Sequence, residues 1–246
     1  MTASELAIIA DVHGNAWALE AVLADIARRG ISTIVNLGDD ANGPLDPART
    51  VALLRASGAV HVRGNGDRMT GEGGATARRS ALFARERLDD GALRWLRERP
   101  TQARGDDWWA FHATPQSDEE YFLENIAAGK TVLASPAEIA ARLGPTDASL
   151  VLCAHTHLPR LVRLAGGTTI LNPGSVGLPA YEDDSPAPHV VENGSPHARY
   201  AIARRVGAEW RATFHTLPYD WSAAAAAART AGWSRWAQYV ETGRSA

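Results

Sequence analysis

The sequence has a single cysteine, Cys153, and this excludes an internal disulfide. Cys153 ends the apolar run of residues 149–153, so we expect a small buried side chain rather than a reactive thiol. An excess of basic residues is also missing, because 25 lysines and arginines face 28 aspartates and glutamates, for a formal net charge of −3. The composition therefore indicates no obvious nucleic-acid-binding surface.

Long hydrophobic runs are absent as well. The earliest apolar run, residues 6–10, has no basic residue before it and ends at Asp11, so it is too short for a signal peptide. No stretch reaches the roughly 20 apolar residues that a membrane-spanning helix requires. The expectation is a cytoplasmic protein without a membrane partner. At 45% hydrophobic and 22% charged residues, the 246-residue chain has an ordinary globular composition.

Apolar strands and amphipathic helices alternate through the first third of the chain. Strands are predicted at residues 6–10, 31–37 and 59–63, and helices at residues 16–29 and from 47 to the residue before Gly58. Asn15 is placed to cap the first helix and Asp46 the second, with Pro47 at its first helical position. This β-α-β-α-β order predicts parallel strands joined by right-handed crossovers.

The remainder of the sequence predicts more helices and then a series of hairpins. Helices are expected at residues 78–88, 91–99, 136–143 and 221–241, and strands at 108–111, 149–153, 160–164, 168–171, 198–206 and 210–216. Residues 66–77 and 181–197 are interpreted as ordinary flexible loops, with segments that border a functional site and set its specificity as the alternative. Residues 1–246 are thus predicted to form one α/β domain with two packed sheets.

Candidate metal ligands stand at the ends of the apolar strands. They are Asp11, His13, Asp39, Asn65, His112, His155 and His157. In an α/β sheet, the carboxyl ends of the strands form the ligand-binding edge. Oxygen and imidazole ligands suit divalent ions such as manganese, iron or zinc rather than a structural zinc site built on thiolates.

Each of these short patterns also has an ordinary structural explanation. Gly38 and Asp39 are typical of a tight turn, as are residues 64–67, and a lone histidine such as His112 is compatible with a core position. All of these patterns occur together, in order, and each stands at a strand end. This favours a functional site over a set of chance matches.

The ordered set Asp-x-His, Gly-Asp, Gly-Asn-x-Asp, His and His-x-His resembles the calcineurin-like metallophosphoesterase superfamily. Within it, the small bacterial phosphodiesterase-like branch is most similar. The matching phrases lie at residues 11–15, 37–39, 62–65, 154–159 and 172–177. The resemblance implies a two-sheet β-sandwich flanked by helices, which is the four-layer αββα metallophosphoesterase fold.

The resemblance also implies two divalent metal ions that share Asp39 as a bridging ligand. The first ion would be held by Asp11, His13, Asp39 and His157, and the second by Asp39, Asn65, His112 and His155. Asp39, Asn65 and His112 are the implied catalytic residues. The expected reaction is in-line attack of a metal-bridging hydroxide on phosphorus.

Two residues outside this ligand set are candidate substrate contacts. Asn15 stands at a predicted helix N-terminus, which is a natural anion site, although helix capping alone would explain it. Arg63 lies beside the second-metal loop and has a guanidinium suited to a phosphate, although a solvated arginine is an equal alternative.

The chain departs from the family pattern at three positions. Many members carry a histidine where this chain has Gly66, so a general-acid contribution of about 10²–10⁴-fold is expected to be missing or supplied by another group. Ala154 replaces the usual glycine before His155. Asn42 replaces an aromatic residue before Gly43, and substrate contacts are expected to differ there.

The predicted function is a dinuclear-metal-dependent phosphodiesterase that acts on a small phosphate ester, with a nucleotide as one candidate. A phosphomonoesterase and a dinucleoside-polyphosphate hydrolase are alternatives within the enzyme class. A catalytically weak metal-binding scaffold is the alternative from another class, and the complete ligand set favours the enzyme. The sequence selects neither one metal nor one oligomeric state.

Overall fold

The computed structural model describes residues 5–246, and this part of the chain contains fourteen strands and eight helices. The strands are β1 (Glu5–Ile9), β2 (Ile34–Asn36), β3 (Val60–His61), β4 (Gln102–Arg104), β5 (Trp108–Phe111), β6 (Glu124–Ala127), β7 (Lys130–Leu133), β8 (Leu150–Leu152), β9 (Arg160–Arg163), β10 (Thr169–Asn172), β11 (Ala180–Asp183), β12 (His189–Glu192), β13 (Ala198–Val206) and β14 (Glu209–Leu217). The helices are α1 (Ala16–Arg28), α2 (Pro47–Ala56), α3 (Asn65–Glu72), α4 (Arg79–Arg85), α5 (Asp90–Glu98), α6 (Pro136–Leu143), α7 (Trp221–Thr230) and α8 (Ser234–Thr242). The predicted mixed α/β class is confirmed.

Two five-stranded sheets form a sandwich. The first sheet has the order β14-β13-β1-β2-β3, and the second has the order β4-β5-β8-β10-β9. Strands β1, β2 and β3 are parallel, as are β5, β8 and β10. The outer strands β13, β14, β4 and β9 pair antiparallel with their neighbours. Helices α1 and α2 connect the parallel strands of the first sheet, as the alternating sequence pattern predicts.

Successive apolar side chains of a strand point to opposite faces, so both faces of each sheet carry apolar residues. In β1, Leu6 and Ile8 belong to the core between the sheets, whereas Ala7 and Ile9 pack with α1. In β8, the two leucines face the same central core and Val151 packs with α6. Each sheet therefore has a layer of helix on its outer face, and this is the predicted αββα order.

Helix α3 corrects the prediction of a flexible loop over residues 66–77, which is wrong for most of its length. The segment is rich in glycine, and glycine disfavours a helix by about 1 kcal/mol relative to alanine. Tertiary packing overrides that preference, because a Cβ atom on Gly71 would already lie 3.0 Å from the Cβ of Arg97 in α5. Asp67 also stabilises the first turn, since its carboxylate accepts a hydrogen bond from the Gly64 N–H at 3.0 Å.

A third sheet corrects the predicted loop over residues 181–197. It has the order β11-β12-β7-β6 and includes a hairpin, β6–β7, that the sequence analysis does not predict. Three of the four residues of β7 are exposed, so this strand has no alternation of buried apolar residues from which it could be predicted.

The predicted helix over residues 221–241 is divided into α7 and α8. Gly232 stands between them with φ of +82°, a left-handed conformation that interrupts a helix and that glycine adopts readily. The two helices share an apolar cluster with Leu178 and Ala180, so they cover the edge of the third sheet. None of the helices in residues 5–246 is long and apolar enough to cross a membrane.

Candidate metal site

The seven predicted ligands converge at the carboxyl ends of the strands. Asp11 and His13 follow β1, Asp39 follows β2, Asn65 begins α3 just after β3, His112 follows β5, and His155 and His157 follow β8. All of them are buried except His155, which is partly exposed. The sandwich thus brings together side chains that are up to 146 positions apart in the sequence.

Two groups of three side chains could each hold a metal ion, because the ligand atoms of each group lie within 4.8 Å of one another. The groups are Asp11, His13 and His157, and Asp39, His112 and His155. Asp39 lies near both: its Oδ2 atom is 3.9 Å from His13 Nε2 and its Oδ1 atom is 3.5 Å from His112 Nε2. This is the position that a bridging carboxylate requires, since each of its oxygens faces a different group.

Hydrogen bonds to the main chain fix which ring nitrogen of each histidine faces the site. Three histidines donate through Nδ1 to a carbonyl oxygen: His13 to Asn42 (3.1 Å), His112 to Leu37 (2.8 Å) and His157 to Leu178 (2.8 Å). Because a carbonyl only accepts, their Nε2 atoms keep the lone pair. His155 is reversed, since its Nε2 atom donates to the Glu119 oxygen at 2.9 Å and leaves Nδ1 free. Such outer hydrogen bonds orient the ligands of metal sites.

Two arrangements in the first group call for a cation. The Nε2 atoms of His13 and His157 are 3.0 Å apart, so two lone pairs face each other. Both carboxylate oxygens of Asp11 are buried and have no hydrogen-bond partner in residues 5–246. A buried, unpaired carboxylate is strongly unfavourable. A divalent cation held by these three side chains would remove both costs, so the residues fit a metal ion.

Backbone strain is concentrated at the same residues. Five of the ligands have left-handed φ angles: Asp11 (54°), His13 (52°), Asp39 (58°), His155 (72°) and His157 (59°). Among the other non-glycine residues of the described chain, Ala128 alone shares this conformation. Side chains other than glycine rarely adopt it, and such strain persists where surrounding contacts hold it at functional sites.

Burial and neighbouring charges shift the pKa values of the ligands. Burial, followed by the charge of Asp39, raises the pKa of Asp11 well above its usual range. Burial lowers the pKa values of His13 and His157, and it lowers the pKa of His155 to about 4. Burial opposes ionisation of Asp39 too, but the neighbouring histidines outweigh it and lower its pKa to about 2. Near neutral pH, these three histidines are therefore uncharged and able to bind a cation.

A buried ion-pair network supports the loop that carries Asp39, and sequence reasoning missed its central member, Arg99. The Arg99 guanidinium forms an ion pair with Asp40 and lies 2.8 Å from an oxygen of Asp67. Asp67 in turn accepts hydrogen bonds from the main-chain N–H groups of Asp39 (2.8 Å) and Asp40 (2.9 Å). The strained Asp39 backbone is thus held by a carboxylate that is itself held by Arg99. An arginine at the end of a helix carries no sequence signal of this role.

His61 adjoins this network and should make stability depend on pH. Asn36 Nδ2 donates to His61 Nδ1 at 3.1 Å, so the ring accepts this hydrogen bond in its neutral form. Burial, with the charge of Arg99, lowers the pKa of His61 to about 4. An unfolded histidine titrates near 6.5, so protons bind the unfolded chain preferentially and stability falls as the pH drops from about 6.5 to 4.

Urea unfolding of the metal-free wild type and of His61→Gln at pH 7 and pH 5 measures this contribution. We expect the wild type to lose about 1 kcal/mol more than the variant, after allowance for the partial exposure of the ring. Equal losses in the two proteins would contradict a neutral, partly buried His61.

A cavity of about 110 Å³ opens beside the ligands. Five of the seven candidate ligands line it: His13, Asp39, Asn65, His155 and His157. Tyr181 and Asp183 also line it and lie in the third sheet, where the sequence pattern predicts a loop. Trp236 and Tyr239 line it as well and lie in α8, within the helix predicted over residues 221–241. Among the residues that line it, Arg78 is the only lysine or arginine, and it forms an ion pair with Asp183 at 2.7 Å.

The two candidate substrate contacts are not among the residues that line this cavity. Asn15 caps α1 by accepting from the Ala18 N–H at 3.2 Å, and its Nδ2 atom donates to the Gly177 oxygen at 2.9 Å. Arg63 lines a neighbouring hollow, and its guanidinium donates to the Arg97 oxygen at 2.9 Å. The capping role of Asn15 is confirmed, while contact of either residue with substrate stays a prediction.

Together, the sandwich and its two ligand groups define a four-layer α/β protein with a metal-binding site at the strand ends. Residues 5–192 match the family model described as the calcineurin-like phosphoesterase superfamily domain, and the chain belongs to this superfamily. The resemblance drawn from the sequence motifs is confirmed.

Two relatives extend this comparison. The crystal structure of a metallophosphoesterase from Sphaerobacter thermophilus is 26% identical, and the match covers 98% of this chain and 100% of that one with a TM-score of 0.76. An uncharacterised protein of Methanocaldococcus jannaschii is 43% identical over 67 residues, which are 27% of this chain. This match spans 28% of the length of the curated relative. The metallophosphoesterase fold is thereby confirmed.

Proposed function

We propose that the protein is a dinuclear-metal-dependent phosphoesterase and that phosphodiesters are its preferred substrates. The observation that carries this proposal is the position of Asp39, with one carboxylate oxygen towards each ligand group. The first ion would be held by Asp11, His13, Asp39 and His157, and the second by Asp39, Asn65, His112 and His155. Such a pair of ions lowers the pKa of a bound water and neutralises charge on the phosphoryl oxygens.

A main-chain N–H group orients Asp39, and the side-chain amide of Asn65 lies next to His112. The Gly66 N–H donates to Asp39 Oδ1 at 2.7 Å, which orients the carboxylate between the two groups. Asn65 Oδ1 lies 3.2 Å from His112 Nε2, so the amide oxygen and the imidazole face the same point. Ligands held in this way need little rearrangement during the reaction, and preorganisation of this kind is a main source of catalytic power.

The charge and the aromatic content of the cavity support a diester rather than a monoester. Besides the candidate ligand Asp39, two acidic residues, Glu182 and Asp183, accompany Arg78 in the lining, so the cavity wall has no excess of positive charge. A diester has one negative charge and a second organic substituent, whereas a monoester is a dianion near neutral pH. Tyr181 and Trp236 offer aromatic surface to such a substituent. A nucleotide-like diester, whose base can stack on these rings, is the substrate class we propose.

Hydrolysis of bis-p-nitrophenyl phosphate and of p-nitrophenyl phosphate by protein stripped of metal and reloaded with Mn²⁺ tests this function. We expect metal-dependent cleavage, with kcat/KM about tenfold higher for the diester, a difference of about 1.4 kcal/mol. A preference for the monoester would favour the phosphomonoesterase alternative. Two bound ions without cleavage of either ester would favour the scaffold.

Arg78 is expected to contribute to substrate binding through its charge. Arg78→Ala should raise the KM for the diester about tenfold and change kcat little, because the guanidinium attracts the phosphate equally before and during the reaction. Arg204→Ala is a matched control, since Arg204 pairs with Glu5 at 2.7 Å on the first sheet. If Arg78→Ala and Arg204→Ala had the same KM and kcat, this result would contradict a role for Arg78 in substrate binding.

A further inference from the structure

Asn42 and Gly66 compete for the same space beside the ligand groups. Gly66 is the second residue of α3 and is buried. A Cβ atom built at position 66 would overlap the Cγ, Nδ2 and Oδ1 atoms of Asn42. The Asn42 amide therefore stands where a longer side chain at position 66 would begin, and the two positions are coupled.

Asn42 lines the cavity, and one of its side-chain hydrogen-bonding atoms is unused. Its main-chain oxygen accepts from His13 Nδ1 at 3.1 Å, which anchors the residue beside the first ligand group. It lines the cavity together with Asp39 and Asn65 and is 6% exposed. Its Oδ1 atom is buried and has no partner among residues 5–246. An unpaired buried amide oxygen costs about 1–3 kcal/mol, and a ligand that donates to the amide would offset this cost.

We propose that Asn42 is a substrate-binding residue, and that its amide restricts the enzyme to phosphate esters and anhydrides with acidic leaving groups. This inference rests on the proposed phosphoesterase function. A carboxamide donates and accepts hydrogen bonds but does not release a proton near neutral pH. Through Nδ2 it can donate to a phosphoryl oxygen or to the leaving oxygen, and through the unpaired Oδ1 atom it can accept from a hydroxyl group of the ligand. It does not act as a general acid.

The balance of the reaction follows from that chemistry. The oxygen of a water molecule forms the new bond to phosphorus, and its protons pass to the solvent. The bond from phosphorus to the leaving oxygen breaks, and the leaving group takes the electron pair and departs as an anion. Nitrophenyl esters and phosphoanhydrides have leaving groups that are stable as anions near neutral pH, whereas alkyl and unsubstituted phenyl esters do not.

Tyr121 and Tyr181 pack against the candidate ligands His155 and His157, and their hydroxyl protons are engaged in hydrogen bonds. His189 donates through Nδ1 to the Ala187 oxygen at 2.7 Å, so its Nε2 atom accepts from the Tyr121 hydroxyl at 2.7 Å. The Tyr181 hydroxyl then donates to Tyr121 at 2.7 Å. Both hydroxyl protons are engaged in this chain of hydrogen bonds.

The first test uses the Mn²⁺-loaded, full-length protein, with inorganic phosphate as the binding probe and metal content measured in parallel. Asn42→Ala should weaken phosphate binding about tenfold, or by about 1.4 kcal/mol, at unchanged metal content. Asn125→Ala removes an exposed amide that donates to Glu138 at 3.0 Å, and it should leave phosphate binding unchanged.

The second test is the rate of the wild type on a series of substituted phenyl diesters. Without a general acid, the rate should fall about 10²-fold or more from p-nitrophenol to phenol as the leaving group.

The third test is a double-mutant cycle on thermal stability, which needs no activity. Gly66→Ala should lower the Tm when Asn42 is present and should have little effect in the Asn42→Ala background.

The proposal is overturned if Asn42→Ala binds phosphate as tightly as the wild type at equal metal content, or if the rate does not depend on the leaving group. If the wild type hydrolyses no ester but Asn42→Ala still weakens phosphate binding, the proposed function is wrong and the binding role of Asn42 is supported. Hydrolysis that Asn42→Ala does not alter would support the function and overturn the role of Asn42.

Discussion

Replacing Asp39 by asparagine is expected to lower the kcat/KM of metal-dependent diester hydrolysis on the order of 10³-fold, equivalent to about 4 kcal/mol of transition-state stabilisation. Asparagine keeps the shape and an oxygen that can accept from the Gly66 N–H, but it removes the negative charge between the two ligand groups. Binding of the second ion should therefore weaken, and the measurement combines kinetics with metal content.

The matched control for this variant is Asp147→Asn, which removes the charge of an exposed aspartate whose side chain is 96% accessible. The control should retain wild-type activity. If Asp39→Asn retained wild-type kcat/KM and metal content, Asp39 would not be the shared ligand, and the proposed two-metal function would lose the observation on which it depends.

Loading the metal-free protein with Mn²⁺ is expected to raise its Tm by about 10 °C or more. An ion that binds only the folded state contributes about 2.7 kcal/mol at a concentration 100 times its Kd, so two ions contribute about 5 kcal/mol. For a chain of this length, 1 kcal/mol shifts the Tm by roughly 2–4 °C. Calorimetry of stripped and reloaded protein measures the shift, and an unchanged Tm at full metal occupancy would contradict it.

Asp11→Asn should have opposite effects on the two forms of the protein. In the metal-free form it removes a buried, unpaired charge and should stabilise the fold by about 1–2 kcal/mol. In the presence of Mn²⁺ it should reduce the gain in Tm, because a ligand is lost. Since the pKa of Asp11 is raised in the folded state, the wild type without metal should lose stability relative to the variant as the pH rises above about 4. Destabilisation of both forms would contradict this account.

The convergence of the seven candidate ligands at one edge of the sandwich is predictable from the sequence, because their positions at the strand ends follow from local rules. Asp11 and His155 come directly after short, continuous apolar strands, and the carboxyl ends of parallel strands meet at one edge. The capped starts of α1 and α2 are predicted for a similar reason, since Asn15 and Asp46 act on the helix within three residues.

What the sequence does not predict depends on distant contacts. Helix α3 forms in a glycine-rich segment because α5 packs closely on it, and no local preference indicates this. Arg99 reaches Asp40 across 59 positions, so its role is visible only in three dimensions. The substitution at Gly66 is noticeable in the sequence, but the reason for it lies in the side chain of Asn42, which only the folded chain brings beside it.

The part of the cavity lining that α8 supplies has a consequence for evolution. The family match ends at residue 192, whereas Trp236 and Tyr239 in α8 lie beyond it and still line the cavity. Substitutions at these two positions would change the lining of the cavity and would replace none of the seven candidate ligands. If the proposed function holds, the residues that meet the substrate and the residues that hold the metal ions can therefore change independently, because α8 supplies none of the candidate ligands.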